Sequence, residues 1–391
     1  MPSDQSTWLI SVPQGHDPLG IVQKVANKLT TQAKLPPRNI ATLTIPTFKT
    51  GTLDSLIALS EELPKQESFF TAAVAKSVET LRNLLNNDPS KLAQHILIDE
   101  KSVDAYVLGG WKWKDVRYDT QKSLKELVAL LNSEMTAIDN ALKAKLNNYN
   151  LVKGSLTQMQ RKKTGNLSVR SLADVVSKDD FIHDSEYLET LLVAVPKSLN
   201  KDWNTSYERI SPMVVPRTSS LLASDDEYSL FSVVVFKRVH DEFVQKCRDR
   251  KFIVRDFVYS EEEIARQQQE LDVAGTTEKE LWTELLGFAR TNFSESFQIL
   301  VHLKVIRLFV ESVLRYGLPA EYVGLAIKPE SKNAKKVFNI LQTQFAYLSS
   351  KSNPNQSGKS SKDEEFAGEY QTIMDQDFFD FILYEVPWIT T

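Results

Sequence analysis

The chain has 391 residues, 42% of them hydrophobic and 25% charged, which is the composition of a folded globular protein with room for two or three domains. Basic and acidic residues nearly balance, 47 against 51 for a formal charge of -4, which argues against a nucleic-acid binder and against a polybasic membrane anchor. Cys247 is the only cysteine, so an intramolecular disulfide and thiolate-built zinc or iron–sulfur sites are excluded, and a reducing compartment fits.

At the start, Asp4 precedes the first apolar run and no basic segment leads it, so this does not read as a signal peptide. Trp8-Leu9-Ile10-Ser11-Val12-Pro13 predicts a strand ended by proline. Residues 19–35 place Leu19, Val22, Val25, Ala26 and Leu29 on one face of a helix that Pro36-Pro37 stops. A second strand is expected over 43–48, then helices over 53–62 and 72–85, with Asp54 or Ser68 as a cap. Trp111-Lys112-Trp113 reads as half-buried tryptophans on an amphipathic strand.

From 124 to 159 the pattern changes to heptads. One seam is Leu124, Leu131, Ile138, Lys145, Val152 and Met159, and the other is Val128, Met135, Leu142, Tyr149 and Leu156. At about 1.5 Å per residue this helix would reach roughly 54 Å. It runs into Arg161-Lys162-Lys163-Thr164-Gly165-Asn166-Leu167-Ser168-Val169-Arg170-Ser171-Leu172. The cations suit the negative end of a helix dipole, and Gly165 sits where a C-cap glycine belongs. Thr164, Ser168 and Ser171 are candidate phosphorylation sites in this basic context.

Residues 165–260 predict a small α/β domain with antiparallel or mixed pairing. Its strands fall at Leu191-Leu192-Val193-Ala194-Val195-Pro196, over 229–236 and over 252–259, with a helix over 240–251. The acidic Ser224-Asp225-Asp226-Glu227 caps or punctuates. Ser260 followed by three glutamates opens a second long helix. Its apolar spacing passes through Leu285, Phe293, Phe297, Leu300, Leu303 and Val310 until Gly317-Leu318-Pro319 ends it, and it is the expected partner of the heptad helix. A strand and a helix follow over 320–345, then a polar loop over 349–362, and an apolar strand over 377–388. The apolar stretches 231–236 and 308–314 are too short or broken to cross a bilayer.

No catalytic, cofactor or metal site emerges. His16, His95, His183, His240 and His302 are scattered without ligand spacing. Asp180-Phe181-Ile182-His183-Asp184 lacks a paired nucleophile and reads as helix capping. Gly358-Lys359-Ser360 ends like a phosphate loop, but Asn353 stands where the motif needs glycine. Lys163-Thr164-Gly165 and Ser198-Leu199-Asn200-Lys201 are β-lactamase fragments in reversed order without a Ser-Asp-Asn element.

The signature at 161–172, together with Leu192-Val193-Ala194-Val195-Pro196-Lys197-Ser198, Val310-Glu311-Ser312-Val313-Leu314-Arg315-Tyr316-Gly317-Leu318-Pro319 and Ile45-Pro46-Thr47-Phe48-Lys49-Thr50-Gly51-Thr52-Leu53-Asp54, closely resembles the C-subunit family of V-type proton ATPases, in its fungal form. The resemblance implies an α+β dumbbell. Residues 1–120 and 317–391 would form a foot, 121–164 and 260–316 a neck of two antiparallel helices, and 165–259 a head. It further implies a non-catalytic stator and regulatory protein that holds peripheral stalks of E and G subunits through head and foot. The foot would also meet the N-terminal cytosolic domain of the a subunit. The expected location is cytoplasmic, on the cytosolic face of vacuolar and other acidic-organelle membranes, with no membrane insertion, no nucleic acid and no cofactor. A stand-alone coiled-coil adaptor or tether is the alternative, and an enzyme with a site in the α/β domain a third possibility.

Overall fold

The computed structural model describes residues 2–15, 17–183, 185–351 and 379–387. In chain order the elements are β1 (Thr7–Pro13), α1 (Pro18–Gln32), β2 (Ile40–Leu43), α2 (Leu53–Leu84), α3 (Pro89–His95), α4 (Val103–Leu108), α5 (Leu124–Thr164), β3 (Leu188–Pro196), α6 (Asn200–Ser206), β4 (Ser220–Ser224), β5 (Tyr228–Phe236), α7 (His240–Asp249), β6 (Ile253–Arg255), α8 (Glu261–Tyr316), β7 (Tyr322–Ile327), α9 (Ala334–Phe345) and β8 (Ile382–Val386). This is an α+β protein with two compact units, one of Met1–Lys145 with Glu284–Thr391 and one of Leu146–Thr283. The division falls inside both α5 and α8.

The larger unit is built on an antiparallel sheet in the order β2-β7-β1-β8. Near-continuous apolarity, rather than alternation, fits β1 as a central strand covered on both faces, and Trp8, Leu9, Ile10, Ser11 and Val12 are all fully buried. Trp8, Ile10 and Val12 pack in one core with Val25 and Leu29 of α1 and Val337 and Leu341 of α9. On the other side, the Ser11 hydroxyl meets that of Ser312 on α8 at 2.7 Å, and Tyr316 donates to the Ser11 carbonyl. Every residue of α8 from 296 to 306 is buried, the polar Ser296, Gln298, His302 and Lys304 included, so the helix runs through the centre of the unit.

Residues 53–62 and 72–85, expected as separate helices, are one continuous α2 that passes through Pro64. Leu59 and Leu63 before the proline and Phe70 after it are all buried, so packing on both sides outweighs the missing N–H and ring clash. Its cap is Thr52, whose hydroxyl accepts from Ser55 N; Asp54 lies in the first turn and Ser68 inside the helix. The second strand ends at Leu43 rather than beginning there, because Pro46 has no N–H for a ladder. The Trp111-Lys112-Trp113 segment forms no strand, and both tryptophans are buried.

Those tryptophans enclose His302. Ring centroids of Trp111, Trp113 and Tyr118 lie 5.1, 4.8 and 4.9 Å from the imidazole. Nδ1 donates to the Gln298 carbonyl at 2.6 Å, the Asp99–Lys114 ion pair sits beside Gln298, and buried Nε2 has no partner. Burial, with Lys114 and Arg117 nearby, lowers the His302 pKa from 6.5 to about 4. The native state therefore binds fewer protons than the unfolded chain in this window, and stability falls as pH drops from 6.5 towards 4. The loss amounts to about 3 kcal/mol for a fully buried group. Melting temperature measured across this range should drop more steeply for the native sequence than for His302→Gln; equal slopes would contradict it.

Along α5 of this unit, Leu124, Val128, Leu131, Met135 and Leu142 are buried. Antiparallel contacts to α8 are the Asn292 side chain on the Ile138 carbonyl at 3.5 Å, the Lys145–Glu284 ion pair, and the Lys145 ammonium 5.1 Å above the Phe288 ring. The polar seam position at 145 is thus used as an ion-pair and cation–π site.

The smaller unit has an antiparallel sheet in the order β4-β5-β3-β6. Val193, Val195, Val233 and Val235 alternate onto one face, where Trp203 of α6 and Phe243 and Cys247 of α7 cover them. Leu192 and Leu230 point to the other face, beneath Leu167, Leu172 and Val176. The strand expected over 252–259 is only Ile253–Arg255, and no sequence signal marked β4 or α6. In this unit Tyr149 of α5 donates to Glu278 of α8 at 2.8 Å. Of the C-terminal strand expected over 377–388, residues 379–387 are described, and β8 pairs with β1. The polar loop expected over 349–362 lies almost wholly outside the described residues.

Candidate functional interface

The last turn of α5, from Arg161 to Thr164, is exposed, while Leu167 and Leu172 a few residues on are fully buried. Three anchors hold the connecting loop. Asp225 accepts from the backbone N–H groups of Leu167, Glu227 and Tyr228 at 2.5, 2.8 and 2.6 Å, and Asn166 donates to Glu227. Burial raises the Asp225 pKa, but these N–H donors and Arg170 outweigh it and leave the carboxyl below its ordinary value. The acidic turn therefore punctuates β4–β5 and also receives the signature loop.

Arg255, at the end of edge strand β6, is the second anchor. Its guanidinium donates to the carbonyls of Leu167, Val169 and Arg170 at 2.5, 3.3 and 2.8 Å. Hydrogen bonds from charged groups contribute about 1.5–3 kcal/mol each, so Arg255→Ala should destabilise this unit by roughly 2–4 kcal/mol and open the loop first. Limited proteolysis would show new cleavage within 165–176; an unchanged digestion pattern would contradict the clamp.

Gly165 is the third. It does not take the left-handed conformation expected of a C-cap. A Cβ there would stand 3.0 Å from the Arg161 carbonyl and 3.7 Å from the Arg170 side chain, so close approach, not positive φ, selects glycine.

Between the end of α5, this loop and the first turns of α8 lies a cavity of about 820 Å³. Lys162, Lys163 and Arg255 supply cations, Glu261 and Glu263 carboxylates, and Met159, Val169, Ile264 and Leu271 apolar surface. Lys163 spans it, 3.0 Å from Gln268 and 3.6 Å from Asp174. Exposed Tyr187, Val258 and Leu221 add apolar surface elsewhere on this unit. Charges of both signs among apolar groups suit a polypeptide partner better than a small substrate.

The residues weighed for chemistry are structural here. His183 contacts the Lys178 carbonyl, Asp180 caps Ser177, and His240 meets Glu189 at 2.8 Å. Burial pushes the Cys247 thiol up to about 12, far from nucleophilic. Among the described residues no group of three His, Cys, Asp or Glu could hold a metal. His16, Asp184, Asn353 and Gly358-Lys359-Ser360 lie outside the described residues.

The family model of the V-ATPase C subunit matches residues 7–382. The chain belongs to the V-ATPase C-subunit family. It is 39% identical over 349 residues to the C 1-B subunit of the V-type proton ATPase of Danio rerio, covering 88% of this chain and 89% of that protein. The C 1 subunit of Xenopus laevis is likewise 39% identical over 349 residues, with the same coverage. The C subunit of Caenorhabditis briggsae is 39% identical over 344 residues, 87% of each chain. A solved structure of the cytoplasmic N-terminal domain of the V-ATPase I subunit, a homolog of the a subunit, aligns over 87% of this chain and 98% of that one at 12% identity, with a TM-score of 0.25, too low to indicate a shared fold.

Proposed function

We propose that the chain is a non-catalytic stator and regulatory subunit of a vacuolar-type proton-translocating ATPase, linking its ATP-hydrolysing sector to its membrane sector. The observation that carries this reading is the C-subunit family match across residues 7–382. In it, residues 165–259 act as a head that grips a stalk of E and G subunits. Residues 1–120 and 317–391 act as a foot for a second stalk and the N-terminal cytosolic domain of the a subunit, with α5 and α8 as the neck. The cavity beside α5 and the exposed Val169, Tyr187 and Val258 are the surface the head offers its stalk. Contacts that mix charge with modest apolar area suit a partner that must leave when the pump disassembles.

The site of action in this reading is the cytosolic face of vacuolar and other acidic-organelle membranes. No helix among the described residues is long and apolar enough to cross a membrane. Affinity isolation of the tagged chain from solubilised membranes, in fed and starved cells, tests the proposal. The E, G and a subunits should co-purify in fed cells and fall away on starvation. Recovery of the chain without them in both states would favour a stand-alone adaptor.

A further inference from the structure

Thr164 closes α5 behind Arg161, Lys162 and Lys163, and the functional reading above leaves its hydroxyl without a task. We propose that Thr164, and neither Ser168 nor Ser171, is a phosphorylation site for a basophilic serine/threonine protein kinase, and that the phosphate loosens the loop that follows. Arg161 and Lys162 stand three and two residues before the hydroxyl, the spacing at which such a kinase's acidic subsites pair with substrate cations. All four residues are exposed, and the Thr164 hydroxyl bonds only backward, to the Gln160 carbonyl at 2.9 Å. A terminal helical turn frays readily, which lets this segment enter an active-site cleft in extended form.

The two serines are held differently. Both are partly buried, and the Ser168 hydroxyl bonds Asn166 at 2.6 Å. Arg255 clamps the carbonyls of residues 167, 169 and 170 between and beside them. Extending either serine into a cleft would require undoing the loop's anchors. At the same offsets Ser168 follows Gly165 and Asn166, and Ser171 follows Ser168 and Val169, so spacing and fold both single out Thr164.

In the reaction, Thr164 Oγ1 attacks the γ-phosphorus of the kinase's nucleoside triphosphate, its proton passes to the kinase's base, the bond to the β–γ bridging oxygen breaks, and nucleoside diphosphate leaves. The new group carries a charge of about -1.5 to -2 at the negative end of a helix dipole. The neighbouring ammonium of Lys163 is the cation that answers it, and in doing so leaves Asp174 and Gln268. The tie across the cavity mouth is lost.

The test uses the full chain, an arginine-directed kinase and isotopically labelled nucleoside triphosphate, with peptides mapped by mass spectrometry. Label should appear on Thr164, vanish in Thr164→Val, and fall in Arg161→Gln, whose side chain is exposed. Absence of label at Thr164, or label on Ser168 or Ser171 that persists in Thr164→Val, would overturn the assignment. Amide exchange over 165–176 should speed up in the phosphorylated chain relative to kinase-treated Thr164→Val, and equal exchange would overturn the proposed loosening.

Discussion

Leu131→Asp should strongly destabilise the larger unit and bring its thermal unfolding well below that of the native chain. Leu131 is fully buried on the α5 stripe with Val128 and Met135, and burying a leucine contributes about 1.5–3 kcal/mol. The substitution forfeits this and adds an unpaired carboxylate, which either stays charged at a cost of several kcal/mol or takes up a proton and still lacks a partner. Against a net stability of about 5–15 kcal/mol for a whole domain, the sum removes much of the margin. Thermal melts followed by circular dichroism should show an early transition, while Leu131→Met, nearly volume-conserving, should shift the midpoint little. Equal melting of Leu131→Asp and the native chain would mean that α5 does not pack as described.

Glu67→Ala should cost nearly as much by another route. Lys304 has a side chain only 2% exposed, and its ammonium is 2.6 Å from one oxygen of Glu67, with the Arg307 guanidinium 2.7 Å from the other. Burial alone would raise the Glu67 pKa, but Lys304 and Arg307 outweigh it and hold the carboxyl below its ordinary value. This pairing therefore stabilises the fold above the ordinary carboxyl range and is lost as pH falls below it. Removing Glu67 leaves a buried cation without an anion, a loss of about 3–5 kcal/mol, whereas replacing both partners by apolar side chains can be neutral. Denaturant unfolding should thus show a large drop for Glu67→Ala and substantial recovery in the Glu67→Leu, Lys304→Met double variant. A double variant no better than the single one would contradict the desolvation argument. Arg307 also lies 4.2 Å above the Tyr384 ring of β8, so the cluster joins α2, α8 and the last strand.

Much of this was legible in sequence because periodicity reports burial. The two heptad seams from Leu124 to Leu156 are buried or half-buried along α5, though fully buried Leu127 lies off both, and the apolar run at Trp8 marked a strand. Ser260 caps α8 as its chemistry suggests, its hydroxyl accepting from Glu263 N. Failures came where tertiary packing overruled a local signal. Pro64 does not break α2, and Trp111 and Trp113 fold as a loop around an imidazole that belongs to a helix nearly 190 residues later. No local pattern could show that His302 would be the residue they enclose. The 161–172 signature was visible as a string but not as a geometry. That Asp225 and Arg255 grip it, and that Gly165 is chosen for close approach, depends on pairs some 58 to 88 residues apart.

The most direct test of the stator reading is ATP-dependent acidification of vacuolar vesicles from cells lacking the chain. Proton pumping should be lost while the other subunits remain present, and adding back the purified native chain should restore it. Pumping at full rate in vesicles without the chain would contradict the account.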